Sequence, residues 1–209
     1  MERNIFFEPY VGNDYHNGGI FGKRIMVLGE SHYCDENCTD CGKLSSHRKC
    51  ANFTKNVVND YLDQRKERKS WMNTLVKFER SLVGHTTNWA ERKDIWHSLL
   101  FFNYLQVAMD TPRKAGTKEQ YDYACKVFYD VIDKYKPQYI IVWGDRLWNS
   151  LPGDSRWQWS EPIVIEGYKV QAGSYRLSNG DTSKIIVVYH PSSGYSWKWW
   201  YKAIKDFLQ

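Results

Sequence analysis

Two short segments of the sequence carry side chains that can bind water or transfer protons. Residues 29–33 read Gly-Glu-Ser-His-Tyr, and residues 190–193 read His-Pro-Ser-Ser. In the first segment glycine permits a sharp turn, and Glu30 could hold or deprotonate a water molecule. In the second, proline restricts the preceding residue to extended geometry, so His190 could donate a hydrogen bond to developing negative charge. The plainer alternatives are a turn-capping glutamate and a structural histidine.

A third polar residue, Asn103, follows an apolar run and offers a hydrogen-bond donor and an acceptor side by side. This pair of groups can read the edge of a base or of another amide-like ring. An asparagine that merely closes a turn is an equally ordinary interpretation.

Four apolar runs predict the strands that would position these residues. They cover residues 24–28, 99–102, 139–143 and 184–189. Runs that are apolar throughout fit strands covered on both faces, as in a parallel sheet between helices. Helical spacing lies between and after the runs, at residues 52–65, 71–83, 117–135 and 197–208. We predict an α/β fold, a three-layer α/β/α sandwich around a mainly parallel four-stranded sheet, with a short hairpin at residues 157–177.

The ends of the predicted strands are the places where a site is expected. Ligands of open α/β sheets bind outside the carboxyl ends of the strands. Glu30, Asn103 and His190 each follow the end of a predicted strand. We therefore predict that these three side chains share one site.

Size and composition favour one domain with a nucleic-acid partner. The 209 residues fit a single domain over residues 1–209, without internal repeat or linker. The aromatic fraction of 16% fits either a core of large rings or rings that stack on bases. A formal net charge of +5 favours a polyanionic partner such as nucleic acid without requiring one. No Walker loop, dinucleotide fingerprint or Ser-His-Asp order is present, which argues against nucleotide hydrolysis by those routes.

The sequence also predicts the compartment. Residues 1–8 lack the apolar stretch of a signal peptide, and no segment approaches the roughly 18 apolar residues of a membrane span. We expect a cytoplasmic monomer without membrane contact. In a reducing compartment the five cysteines are expected to be thiols or metal ligands rather than disulfides.

Four cysteines lie within seventeen residues, directly after the first polar segment. They are Cys34, Cys38, Cys41 and Cys50, in a polar stretch with little hydrophobic content. This spacing predicts a tetrahedral metal site that folds a Cys-rich insertion at about residues 34–50. Zinc is the first choice, an iron-sulfur cluster is the alternative, and four reduced thiols are the third interpretation. His47 could replace one thiolate.

Together, these segments resemble the uracil-DNA glycosylase superfamily along most of the chain. Residues 29–33 are similar to its water-activating loop, and Asn103 is similar to the asparagine that reads the base edge. Phe53 lies where the family places a phenylalanine that stacks under the flipped base. Residues 139–144 are similar to its third strand and following glycine, and residues 190–192 match its His-Pro-Ser loop. In that loop the histidine stabilises the departing base, and the following residues probe the minor groove.

The resemblance implies a uracil-DNA glycosylase-like fold and a monofunctional DNA glycosylase of base excision repair. Such an enzyme hydrolyses the N-glycosidic bond of a flipped uracil or other modified base, in single- or double-stranded DNA. Catalysis is assigned to Glu30 and His190. Base binding is assigned to Gly29, Ser31, His32, Tyr33, Phe53 and Asn103, and DNA binding to Ser192, Ser193, Tyr195, Trp197 and Lys198. Tyr195 is the candidate wedge that fills the gap left by the extruded base.

The first loop departs from the family pattern. Its Gly-Glu start is typical of the iron-sulfur branch, but Ser31 stands where many members carry Asp or Asn, and His32 replaces the usual proline. The cluster pattern of that branch is not reproduced, because Cys125 has no partner thiol near it in sequence. Two other functions therefore stay open: a non-catalytic nucleic-acid-binding module of the same fold, and a hydrolase of free nucleosides or another small ligand.

The metal site is testable by metal analysis of anaerobically purified protein. We expect about one zinc ion per chain, because four thiolates satisfy a tetrahedral site. A Cys38→Ser variant should lose most of the metal, whereas Cys125→Ser, outside the cluster, should keep it. A Cys38→Ser protein with normal fold and metal content would count against the site.

Overall fold

The computed structural model describes residues 5–34 and 51–209. Its main feature is a seven-stranded mixed sheet in the order β1-β3-β2-β4-β7-β6-β5. The strands are β1 (Tyr10–Val11), β2 (Ile25–Gly29), β3 (Leu99–Asn103), β4 (Tyr139–Trp143), β5 (Trp157–Ile165), β6 (Tyr168–Arg176) and β7 (Thr182–Val188).

Helices connect the strands. They are α1 (Phe53–Leu62), α2 (Met72–Val83), α3 (Trp89–His97), α4 (Lys118–Tyr135), α5 (Asp145–Trp148) and α6 (Trp197–Phe207), with 3₁₀ turns at Tyr15–Asn17 and Gly19–Phe21. The start of α4 is fixed by a capping box, in which Thr117 and Gln120 each bond the other's backbone. Within the described ranges, no helix is both long enough and apolar enough to cross a membrane.

The centre of the sheet consists of β3, β2, β4 and β7, which pair in parallel. The first three are buried along their full length. These are the four strands predicted from the apolar runs, so the mixed α/β class is confirmed. The four-stranded sheet is corrected to seven strands, because β1 pairs antiparallel with β3 and the hairpin β5-β6 continues the sheet beyond β7. The added strands lack a long, continuously apolar run, since β1 has two residues and β5 is largely exposed.

Each central strand contributes to two apolar cores. Val27 and Ile141 pack in one core, with residues of α1, α2, α3 and α6. Leu28 and Val142 pack in the other, with residues of α4 and α5. Because successive strand residues point to opposite faces, a strand between two cores must be apolar at every position.

A buried carboxylate joins three of the helices. Glu79 of α2 has no exposed surface and accepts hydrogen bonds from Tyr61 Oη (2.7 Å) and Trp96 Nε1 (3.2 Å). Arg92 Nε lies 3.2 and 3.3 Å from its two oxygens, and the Thr87 hydroxyl also donates to it. Burial and the neighbouring Glu79 raise the pKa of Tyr61, which keeps the phenol as a donor. The carboxylate thus links α1, α2 and α3 through paired polar groups.

The outer edge of the hairpin is irregular. β5 pairs with β6 in two stretches, and the register shifts between Ser160 and Ile163. Pro162 lies at this shift and has no backbone N–H to donate.

Removal of the buried carboxylate should destabilise the fold. Glu79→Ala leaves the guanidinium of Arg92 and three further donors without their acceptor, so we expect a loss of about 3–5 kcal/mol in the free energy of unfolding. Chemical denaturation monitored by circular dichroism measures this loss. Glu67→Ala, at an exposed position, is the control and should change stability by less than about 0.5 kcal/mol. Equal stability of the two variants would show that the network does not hold the helices together.

Candidate active site

The carboxyl ends of the central strands open into a cleft of ≈ 970 Å³. Because the four strands are parallel, the loops that follow them meet at one edge of the sheet. All the predicted catalytic and base-binding residues line the cleft, together with two of the predicted DNA-binding residues. They are Gly29, Glu30, Ser31, His32, Tyr33, Phe53, Asn103, His190, Ser192 and Ser193.

Glu30 is held by two partners that the sequence did not predict. Arg146 Nε lies 2.7 and 3.0 Å from its two carboxylate oxygens, and Nη2 of the same guanidinium also donates to it. The Tyr121 hydroxyl donates to Oε1. The bond to Glu30 raises the pKa of Arg146, and burial followed by the Glu30 contact raises the pKa of Tyr121. The carboxylate is therefore fixed in orientation, and most of its lone pairs are used.

Arg146 also connects two loops at the cleft. Its Nη1 donates to the carbonyl oxygen of Arg113 at 2.7 Å, and Arg113 has a φ of 67°, in the left-handed region. Arg146 could have been predicted from sequence, because it comes shortly after the end of β4, behind Trp143 and Gly144, and sites of open α/β sheets lie at the carboxyl ends of strands. Tyr121 lies within α4, and no local pattern distinguishes it from an ordinary half-buried ring.

His190 presents a neutral ring with a defined tautomer. The backbone N–H of Ser192 donates to His190 Nδ1 at 3.2 Å, and the Ser192 hydroxyl oxygen lies 2.7 Å from the same nitrogen. Because a backbone N–H can only donate, Nδ1 accepts, and the hydrogen of the neutral ring is on Nε2. Burial lowers the pKa of His190, Glu30 opposes this shift, and Arg146 adds to it. The ring is thus a neutral N–H donor at the cleft.

His32 covers the groups that were predicted to bind a base. Its ring stacks on Phe53 with centroids 4.3 Å apart and an interplanar angle of 8°. Asn103 Nδ2 lies 3.1 and 3.0 Å from the two ring nitrogens, and Thr54 Oγ1 lies 2.8 Å from Nε2. Only 5% of His32 is exposed. The predicted contacts of Phe53 and Asn103 are therefore made to His32, which takes the place expected for a base.

Gly29 is required by the packing of Asn103. The two residues lie opposite each other in the β2-β3 pairing. A Cβ atom on Gly29 would lie 2.2 Å from Asn103 Oδ1, closer than any real contact. The glycine thus provides room for the amide, in addition to the turn that the sequence suggested.

Two buried polar groups lie at the cleft without a hydrogen-bond partner in the described part of the chain. They are Ser31 Oγ and Trp143 Nε1. Buried polar groups are normally paired, so each is a candidate contact for a ligand.

The prediction of Tyr195 as a wedge is wrong. Its side chain is 7% exposed, its hydroxyl lies 2.6 Å from Ser81 Oγ, and its ring stacks on Trp200. A ring held in the core cannot enter a duplex. Trp197 packs against the same core and Lys198 is exposed at the start of α6, but neither lines the cleft.

Most of the predicted metal site lies outside the described residues. This applies to Cys38, Cys41, Cys50 and His47, and the zinc or iron-sulfur site stays a prediction. Cys34 is described, and its backbone N–H donates to the carbonyl of Met109 at 3.1 Å. Within residues 5–34 and 51–209, no cluster of three or more His, Cys, Asp or Glu side chains could hold a metal ion.

No protein-family model matches the chain, and no curated protein matches it. The resemblance to the uracil-DNA glycosylase superfamily thus depends on the strand-end residues described above.

The burial of His32 predicts a pH dependence of stability. Burial lowers the pKa of its ring from 6.5 to about 3. As the pH falls below 6.5, the unfolded chain binds a proton that the folded chain cannot, so stability falls by up to about 1.4 kcal/mol per pH unit. Melting temperatures between pH 7 and pH 5 measure the slope.

The matched variants are His32→Gln and His16→Gln. The first removes the buried ring of His32 and should reduce the slope to the part that His190 contributes, because burial also lowers the pKa of His190. The second changes an exposed histidine and should leave the slope unchanged. An unaltered slope in His32→Gln would contradict the assignment.

Proposed function

We propose that the cleft hydrolyses the N-glycosidic bond of a modified base in DNA. The observation that carries this proposal is that the Glu30 carboxylate and the neutral His190 ring line one cleft, at the carboxyl ends of β2 and β7. Cleavage of this bond places positive charge on the sugar and negative charge on the leaving base. A fixed carboxylate and an N–H donor are the two groups that such charge separation requires.

Each group has a role that follows from its contacts. Nε2–H of His190 donates to the base as negative charge develops on it. Glu30 stabilises the oxocarbenium-like sugar, and Arg146 and Tyr121 keep its oxygens in position. Water adds its hydroxyl to the sugar carbon and its other proton to the released base. Because Glu30 has few unused lone pairs, it acts more by its charge than by proton abstraction, which revises the role that the sequence suggested.

The ring of His32, which covers Phe53, limits where a base can bind in the cleft. His32 already stacks on Phe53, so the base binds farther out in the cleft, where Phe101 and Trp143 are further lining rings. The volume of ≈ 970 Å³ is near the upper end of the roughly 300–1,000 Å³ of small-molecule sites. We infer a base larger than uracil, or a base bound together with its neighbouring nucleotides.

We also propose a fold, an oligomeric state and a cellular compartment for the protein. A three-layer, uracil-DNA glycosylase-like arrangement is supported by the four parallel central strands and by apolar cores on both faces. A monomer that acts on DNA in the cytoplasm fits the modest positive charge.

Base release from oligonucleotides tests the proposal directly. We expect the protein to excise at least one base from a panel that contains uracil and bulkier modified bases. His190→Ala and Glu30→Gln should each slow excision by about 10²-fold or more, because each removes stabilisation of charge in the transition state. Gel analysis after alkaline cleavage of abasic sites measures the rates.

Glu67→Gln, at an exposed position outside the cleft, is the control and should excise at the normal rate. Absence of release of any base by correctly folded protein would defeat the proposal.

One observation favours a second candidate, a non-catalytic nucleic-acid-binding module. Arg146 and Tyr121 occupy the oxygens of Glu30, and His32 occupies the amide of Asn103, as in a site whose polar groups serve structure. This candidate predicts salt-dependent DNA binding without excision, unaffected by Glu30→Gln and His190→Ala.

A further inference from the structure

Exposed aromatic rings gather at the mouth of the cleft. Among the described residues, nine large hydrophobic side chains are exposed, and they lie far apart in the sequence. Three of them, Tyr33, Trp71 and Tyr189, line the cleft. A fourth, Tyr168, donates a hydrogen bond from its hydroxyl to the hydroxyl of Tyr189 at 3.1 Å. Apolar surface concentrated in this way marks a binding site.

The rings at one side of the mouth are held in place by the hairpin and by α6. Tyr168 packs edge-on against Trp199 with centroids 5.4 Å apart, and Tyr189 packs against Trp200 at 5.3 Å. An ion pair between Lys202 and Glu166 ties the hairpin turn to α6. Tyr168 and Tyr189 thus lose little freedom when a planar ligand stacks on them.

A positive side chain lies at the same mouth. Arg113 is exposed, lines the cleft and forms no ion pair with another described residue. Its left-handed backbone is supported by Arg146, which donates to its carbonyl oxygen. Such strained backbone is found where a side chain must be placed for function. A guanidinium beside exposed rings fits a ligand with phosphates and planar bases better than a neutral sugar.

Beyond His190, the loop after β7 offers no exposed apolar side chain that could fill the gap left by an extruded base. Its exposed positions there are Ser192, Ser193, Gly194 and Ser196, and the ring of Tyr195 is in the core, while the exposed ring of Tyr189, before His190, is held by Tyr168 and Trp200. Enzymes that extract a base from a duplex commonly insert an apolar wedge into the gap. The cost of extraction is smallest for a base that is already unpaired.

We propose that this cleft selects single-stranded DNA over duplex, with Tyr168 and Tyr189 stacking on bases next to the one in the cleft and Arg113 contacting a phosphate. This inference rests on the proposed function, because it places the target base beside Glu30 and His190. It goes further in naming the strand state of the substrate and the residues that select it.

Fluorescence anisotropy with a labelled oligothymidylate of about twelve nucleotides tests the inference. The same oligonucleotide annealed to its complement is the duplex probe. We expect the single strand to bind at least about tenfold more tightly than the duplex, and Tyr168→Ala or Tyr189→Ala to weaken single-strand binding by about tenfold. Tyr168→Phe and Tyr189→Phe keep the ring and should bind within about twofold of the original protein. Arg113→Gln should weaken binding and reduce its dependence on salt.

Tyr123→Ala is the matched control, since Tyr123 is 43% exposed and Tyr168 is 44% exposed, but Tyr123 lies in α4, whereas Tyr168 donates a hydrogen bond to the cleft residue Tyr189. Thermal melting of each variant shows whether it is folded. Equal affinity for both probes, or loss of binding in the phenylalanine variants, would overturn the inference.

An excision assay on the same two strand states separates this inference from the proposed function. Excision at equal rates from both overturns the strand selection and leaves the glycosylase function intact. Tight, tyrosine-dependent binding of the single strand without excision of any base supports the selection and contradicts the glycosylase function.

Discussion

The parallel pairing of β2 with both of its neighbours is the constraint on which the rest of the structure depends. All five residues of β2 are buried, and the strand is in register with β3 on one side and β4 on the other. A strand without a solvent face can offer polar chemistry only at its ends. The pairing also places Gly29 opposite Asn103, so the loops that follow the central strands leave the sheet at one edge. The cleft is a consequence of this alignment.

The central strands could be predicted from sequence because burial on both faces leaves an uninterrupted apolar run. β4 was predicted with its observed bounds, and the other three differ by one or two residues at their ends. α3 was not predicted, because Ile95 and Trp96 are its two buried positions in a polar segment and no helical stripe is visible. The hairpin was predicted at residues 157–177, but outside the four-stranded sheet. Its role as a continuation of the sheet depends on the pairing of β6 with β7, which sequence spacing does not reveal.

The candidate site was predictable in position and not in its contacts. Glu30, Asn103 and His190 could be predicted to share one edge of the sheet, because each follows the end of a predicted parallel strand. The partners of Glu30 lie 91 and 116 residues away along the chain, and tertiary packing alone brings them to it. The resemblance indicated only that His32 stands where the family usually has proline; its stacking on Phe53, the first residue of α1, depends on tertiary packing.

The irregular edge of β5 has a consequence for the behaviour of the protein in concentrated solution. A nine-residue edge strand presents backbone donors and acceptors on which a second molecule could build a continuous intermolecular sheet. Pro162 removes one of those donors, and the register shift beside it interrupts the flat ladder that such growth requires. The hairpin can therefore extend the sheet and support the mouth of the cleft through Tyr168 without becoming a template for aggregation.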